Sequence, residues 1–175
     1  MACSCVSFDF VDRFAESVKN TKSESTLRSM PISADPTCLF CKIASGEVSA
    51  QLVYEDEISL AFLDHRPVFP GHCLLIPKDH FETLADLPTN LVGPIFQNAQ
   101  LLARAVESAM EAHGTFVALN NRVSQSVPHL HIHVVPRRRK DGLRGFFWPR
   151  YPYKTAEESA AVQAAISSAV SFLRR

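Results

Sequence analysis

No run of apolar residues in this chain approaches the ~20 that a membrane-spanning helix needs, so the sequence predicts no membrane segment. Nor is there an excess of charge of either sign. The 18 Lys and Arg balance the 18 Asp and Glu, which removes any bulk electrostatic reason to bind nucleic acid. No internal repeat appears. A secretory apolar core is missing as well, and the cysteines, Cys3, Cys5, Cys38, Cys41 and Cys73, are odd in number. Both facts argue against a disulfide framework and for a reducing compartment, with a cytoplasmic or nuclear protein expected. What is present is ordinary globular material: 175 residues, enough for one domain with a proper core.

Residues 1–36 differ from the rest and are expected to form a flexible N-terminal extension. Val11, Phe14, Ala15 and Val18 have the spacing of a short amphipathic helix. Ser and Thr then accumulate from Thr21 to Ser33, and Pro31 and Pro36 complete a linker-like composition. Organellar transit peptides are poor in acids. Here Asp9, Asp12, Glu16 and Glu24 match Arg13, Lys19, Lys22 and Arg28, so targeting is the weaker alternative but stays open.

From 37 to 175 the pattern is that of a folded domain. Gln51–Glu55, Ile58–Asp64 and His72–Pro77 read as short strands. Thr89 or Asn90 is placed to cap a helix reaching about Ala112, burying Leu91, Ile95, Leu102, Val106 and Met110. Pro94 fits the first turn only, and Gly114 stands where a left-handed helix end is expected. Thr115–Asn120 and His129–Val135 are the fourth and fifth strands. Thr155-Ala156-Glu157-Glu158 reads as a capping box opening a helix with Val162, Ala165, Ile166, Ala169, Val170 and Leu173 at helical spacing. Strands and helices segregate, which predicts an α+β fold with a five-stranded antiparallel sheet, a long helix and a C-terminal helix.

The informative stretch is Ser126 through Pro136, where His129, His131 and His133 alternate with Leu130, Ile132 and Val134. Alternation sends the three imidazoles to one face of a strand and the aliphatics to the core. Near neutral pH imidazole is a metal ligand, a proton carrier or a nucleophile. The spacing alone leaves two readings open: a three-histidine catalytic metal site, or attack on a phosphorus or acyl centre. Arg137-Arg138-Arg139-Lys140, just beyond, reads as a solvated loop.

His129 through Val135 resembles the signature of the histidine triad (HIT) family, three histidines alternating with apolar residues. The likeness extends to Cys38–Lys42, Tyr54–Glu57, Ala61–Asp64, Pro70-Gly71-His72, Ile76–His80 and Gln125-Ser126-Val127. It implies a nucleotide hydrolase or transferase acting at the α-phosphorus of a purine nucleotide. His131 would be the nucleophile, forming a covalent nucleotidyl-imidazole. His133 would serve the phosphate and leaving group, and His72 would buttress the triad. The resemblance further implies that Ser126, Gln125 and Asn120 (or Asn121) hold phosphate and that Asp64 bonds the ribose, unless Asp64 merely forms a turn. Leu39, Phe40, Ile43 and Phe62 would line the base slot, with His65 at the ribose edge.

One branch of the family implies a structural zinc, one per chain, held by Cys38, Cys41, His80 and His129; two thiolates and two imidazoles close a tetrahedral site. The family also implies a homodimer joined along a sheet edge, which covers an exposed strand. Three readings therefore stand: a nucleotidyl hydrolase or transferase, a nucleotide-binding scaffold with vestigial activity, and a zinc hydrolase using all three histidines. Gly142–Arg150, aromatic and basic, lines the leaving-group side or packs on the dimer.

Overall fold

Five short segments rich in apolar residues make one sheet in the computed structural model, which describes residues 34–143 and 152–173. The strands are β1 (Leu52–Glu55), β2 (Ser59–Leu63), β3 (Cys73–Pro77), β4 (Gly114–Ala118) and β5 (Ile132–Arg137). Their order is β1-β2-β3-β5-β4, and every neighbouring pair is antiparallel. The helices are α1 (Leu39–Ala44), α2 (Thr89–Ala109) and α3 (Ala156–Leu173). This is the α+β architecture expected. The helical spacing at Val11–Val18, the linker and most of Gly142–Arg150 lie outside the described residues.

Pleating divides the core into two layers. On one face Ala61, Leu75, Ile132 and Val134 pack against Ile95, Ala99, Leu102 and Val106 of α2. On the other, Leu60, Phe62, Leu74 and Ile76 meet Phe40, Cys38 and Cys41 around α1. Each fully buried Leu, Ile or Phe contributes about 1.5–3 kcal/mol, so both layers stabilise the sheet. His133 pairs with Leu74 across β3, so it shares the α1 face. The sheet therefore separates chemistry from the α2 core.

A polar clamp ties α2 to the β1–β2 turn. Asp56 Oδ1 accepts the N–H groups of Ile58 and Ser59 at 3.0 and 2.7 Å. Its Oδ2 accepts from the Tyr54 hydroxyl at 2.9 Å and the Asn98 amide at 2.6 Å. Asn98 also donates to the fully buried Ser59 hydroxyl at 3.0 Å. Burial opposes ionisation of Asp56, yet these donors together hold its carboxyl below the usual range.

Several expectations are corrected. Pro88, not Thr89 or Asn90, precedes the first turn of α2, and Pro94 sits inside the helix. The preceding turn, Leu84–Asp86, has its own capping box from Thr83 and Asp86, so the chain enters α2 already fixed. Gly114 opens β4. The left-handed residue at the end of α2 is Glu111 (φ 48°), with Ala112 N–H donating to Glu107 and Glu111 N–H to Ser108, a Schellman end. Regular strand pairing in β5 begins at Ile132, so His129 and His131 lie just before it. Leu130 N–H bonds instead to the Phe81 carbonyl. Leu91 and Met110 only pack partly buried against the core. Most of all, α3 buries nothing: Val162, Ile166, Val170 and Leu173 are all exposed. Of its capping box, the Thr155 hydroxyl does accept the Glu158 N–H at 3.2 Å, but the Glu158 carboxylate turns to Lys154 N–H.

Candidate active site and metal centre

Cys38 immediately precedes α1 and Cys41 lies one turn inside it, so the short helix presents both sulfurs in one direction. His80 follows β3, and His129 precedes β5. These two neighbouring strands bring the imidazoles to the sulfurs: the four donor atoms lie within 4.8 Å of one another. Cys38 Sγ is 3.5 Å and Cys41 Sγ 3.6 Å from His129 Nδ1, and Cys41 Sγ is 3.3 Å from His80 Nδ1. A tetrahedral ion with bonds of roughly 2.0 Å to nitrogen and 2.3 Å to sulfur requires S···N edges of about 3.6 Å. The residues fit such an ion. His129 Nε2–H donates to the Pro77 carbonyl at 3.0 Å, which leaves Nδ1 as the ligand atom. Asp35 N–H points at Cys41 Sγ from 3.4 Å, a donor suited to thiolate. Burial pushes the Cys41 thiol up, a bias that a bound cation would reverse.

A second chain of imidazoles runs beside the first. His131 Nδ1–H donates to the His129 carbonyl at 2.6 Å, which leaves Nε2 with a free lone pair. His72 accepts the Val68 N–H on Nδ1 at 3.3 Å, and that makes its Nε2 the donor to His133 Nδ1 at 3.0 Å. His133 in turn has its hydrogen on Nε2. So His131 offers a lone pair and His133 a proton, with ring centres 5.0 Å apart. Burial, then the neighbouring His131 and His72, push His133 down to about 4, and burial lowers His72. At neutral pH both are uncharged. Only His129 of the triad faces the cysteines, so the described geometry does not gather all three histidines round one ion.

The remaining expected site residues divide. Phe40 sets its edge against His131 at 5.3 Å and 87°, and against Phe62 at 5.4 Å. Both phenyl rings are buried, with Phe40 between Phe62 and the His131 ring, while Leu39 and Ile43 retain exposure. Asp64 accepts the Arg66 N–H at 2.8 Å, the turn anticipated as the alternative, and places Oδ2 3.5 Å from His72 Nδ1. His65 turns to solvent, 3.6 Å from Asp64. Gln125 is committed to the backbone: its amide donates to Glu82 and His129 carbonyls and its oxygen accepts the Arg122 N–H. Asn121 accepts the Leu84 N–H, and Asn120 donates to the Ser124 carbonyl at 3.4 Å. Ser126 is exposed. The partners supplied by Val68 and Pro77 are backbone groups, which residue identities do not signal.

The family model described as HIT domain matches residues 45–140. The adenosine 5'-monophosphoramidase of Schizosaccharomyces pombe is 35% identical over 136 residues, 77% of this chain and 98% of that protein. An adenylylsulfatase of Arabidopsis thaliana is 36% identical over 108 residues, 61% of this chain but only 55% of the relative. Among solved structures, a Zn-bound histidine triad family protein from Mycobacterium smegmatis superposes with a TM-score of 0.59 at 38% identity, covering 77% of this chain and 96% of its own.

Proposed function

The chain belongs to the histidine triad (HIT) family, and on that footing we propose that it hydrolyses purine nucleotides at the α-phosphorus through a covalent intermediate on His131. The observation that carries this reading is the 2.6 Å hydrogen bond from His131 Nδ1 to its neighbour's carbonyl, which leaves Nε2 free to attack. As the Nε2–P bond forms, the bond from phosphorus to the leaving group breaks; water then cleaves the P–N bond and releases the nucleoside monophosphate. His133 Nε2–H hydrogen-bonds the phosphate or departing group, held in that tautomer by His72. Ser126 and Asn120 bind phosphate, Leu39 and Ile43 flank the base, and Asp64 bonds the ribose. The names of the relatives support phosphoramidate and adenylyl sulfate as substrate classes to test first.

Cys38, Cys41, His80 and His129 would hold one zinc and so fasten α1 to the sheet; with all four donors supplied by the protein, its role would be structural. The Zn-bound relative supports that assignment. A homodimer joined along β4 is part of the same reading: β4 is a sheet edge, and Val117 on it and Leu101 on α2 are 42% and 50% exposed.

Mass spectrometry after rapid quench in alkali tests the mechanism, with adenosine 5'-phosphoramidate, a diadenosine polyphosphate and adenylyl sulfate as substrates. An AMP adduct on the peptide containing His131, absent from His131→Ala, is the expected result. Tight AMP binding with no adduct and no turnover on any of the three leaves the chain a nucleotide-binding scaffold.

A further inference from the structure

The last helix poses a problem that the active site does not answer. From Ser159 through Leu173, α3 contains no charged residue, yet it lies open to solvent. Val162, Ile166, Val170 and Leu173 are 37%, 60%, 44% and 81% exposed. At about 100° per residue these four side chains fall within a single stripe of roughly 80°. A helix with such a stripe and no charge beyond its first turn is a surface without its cover. It is not apolar enough to cross a membrane.

The order of residues along α3 identifies the cover. Read outward from Ile166, Val162 is matched by Val170, Glu158 by Arg174 and Glu157 by Arg175. Leu173 falls opposite Ser159 and stands outside this symmetry, but the matched residues are complementary only when one copy is reversed. We propose that α3 packs antiparallel against α3 of a second copy of this chain, with the two-fold axis at Ile166. Val162 then meets the partner's Val170, and each Ile166 meets its equivalent, an isologous contact. In sequence, the acidic Glu157 and Glu158 at the start of α3 are balanced by Arg174 and Arg175 directly after it, so reversing one copy sets opposite charges together. A parallel pair would set like charges together and align the helix dipoles, whereas the antiparallel pair relieves both. Ala165 and Ala169 border the stripe, and their small side chains allow axes near the lower end of the usual 8–10 Å separation. At about 27 Å the helix is too short to supply alone the ~800 Å² per partner of a free-standing interface. Pairing therefore deepens with protein concentration and is independent of the hydrolytic mechanism.

Cysteine cross-linking of the full chain tests it, in a Cys3→Ser, Cys5→Ser background; Cys38, Cys41 and Cys73 are buried. I166C should form a disulfide-linked dimer. V162C alone should not, because its copies sit about 12 Å apart along the antiparallel pair, but V162C mixed with V170C should. Ile166→Asp, at an exposed site, should abolish the mixed link and leave turnover unchanged. V162C linking to itself would mean a parallel pair and overturns the proposal. So does the failure of every α3 position to link at 0.1 mM protein, whether the helix then binds phosphatidylserine vesicles or folds onto its own domain.

Discussion

His72 Nε2 lies 3.0 Å from His133 Nδ1, and this contact decides which nitrogen of His133 carries the proton. Removing His72 frees His133 to rotate and to change tautomer. His72→Ala should therefore lower kcat by about a hundredfold, the scale of an ångström-sized misplacement, with KM nearly constant. His133→Ala should cost about 10²–10⁴-fold. Steady-state kinetics on the best of the three substrates distinguishes this from a binding role, in which KM would rise and kcat hold.

Zinc removal is expected to be a stability effect. Stripping the ion with a strong chelator, or replacing Cys41 with Ser, should lower Tm by about 10 °C, corresponding to a few kcal/mol in a chain of this size. Elemental analysis of protein grown with zinc should give one ion per chain. A metal-free preparation with unchanged Tm would sink the assignment.

Stability should fall on acidification, and the sign follows from two histidines. His133 is held down to about 4 and His72 is lowered too, in both cases first by burial. Unfolded, each returns to about 6.5, so the unfolded chain binds protons that the folded chain refuses. Their contribution is complete above about pH 6.5 and is lost as pH drops towards 4. Urea midpoints measured from pH 8 to pH 4 should decrease across that window; a rise would contradict the burial of the pair.

Asn98 bridges Asp56 and Ser59 from α2. Asn98→Ala leaves a fully buried hydroxyl and a carboxylate short of donors, at a cost of about 1–3 kcal/mol. Chemical denaturation should show that loss with hydrolysis intact, since the clamp grips the face of the sheet away from the triad.

Glu111 occupies the left-handed end of α2 without the freedom of glycine. Glu111→Gly should stabilise the protein by roughly 1 kcal/mol, the penalty a side chain ordinarily meets there. A lower melting temperature would show that Glu111 makes a contact worth more than its strain.

The sheet was legible because alternation survives even where regular pairing does not: Leu130 and His129 keep opposite faces one turn ahead of β5. The metal cluster was legible through the family resemblance, which singles out Cys38, Cys41, His80 and His129; the Cys-x-x-Cys spacing alone would not have joined the two histidines to it. The helix end was not. Gly114 looked suited to the left-handed position, but the Schellman bonds closed three residues earlier and forced Glu111 into it. Gln125 illustrates a different limit: residue type announces a polar role but not whether the partner is a phosphate or the chain's own carbonyls. For α3, helical spacing correctly marked an apolar side and said nothing of what would lie on it, because a cover from another chain leaves the same signature as a core.

His129 belongs to both chains of imidazoles: its ring points Nδ1 at the sulfurs, and its carbonyl holds the Nδ1–H of His131. On the proposed mechanism one residue thus anchors the scaffold and selects the tautomer of the nucleophile. On the same reading, extracting the ion would lower activity as a consequence of lost stability, by loosening a backbone oxygen, and would mimic metalloenzyme poisoning without a metal at the reacting phosphorus. Chelator sensitivity, usually taken as a mark of metal catalysis, would in this protein report the posture of a peptide bond.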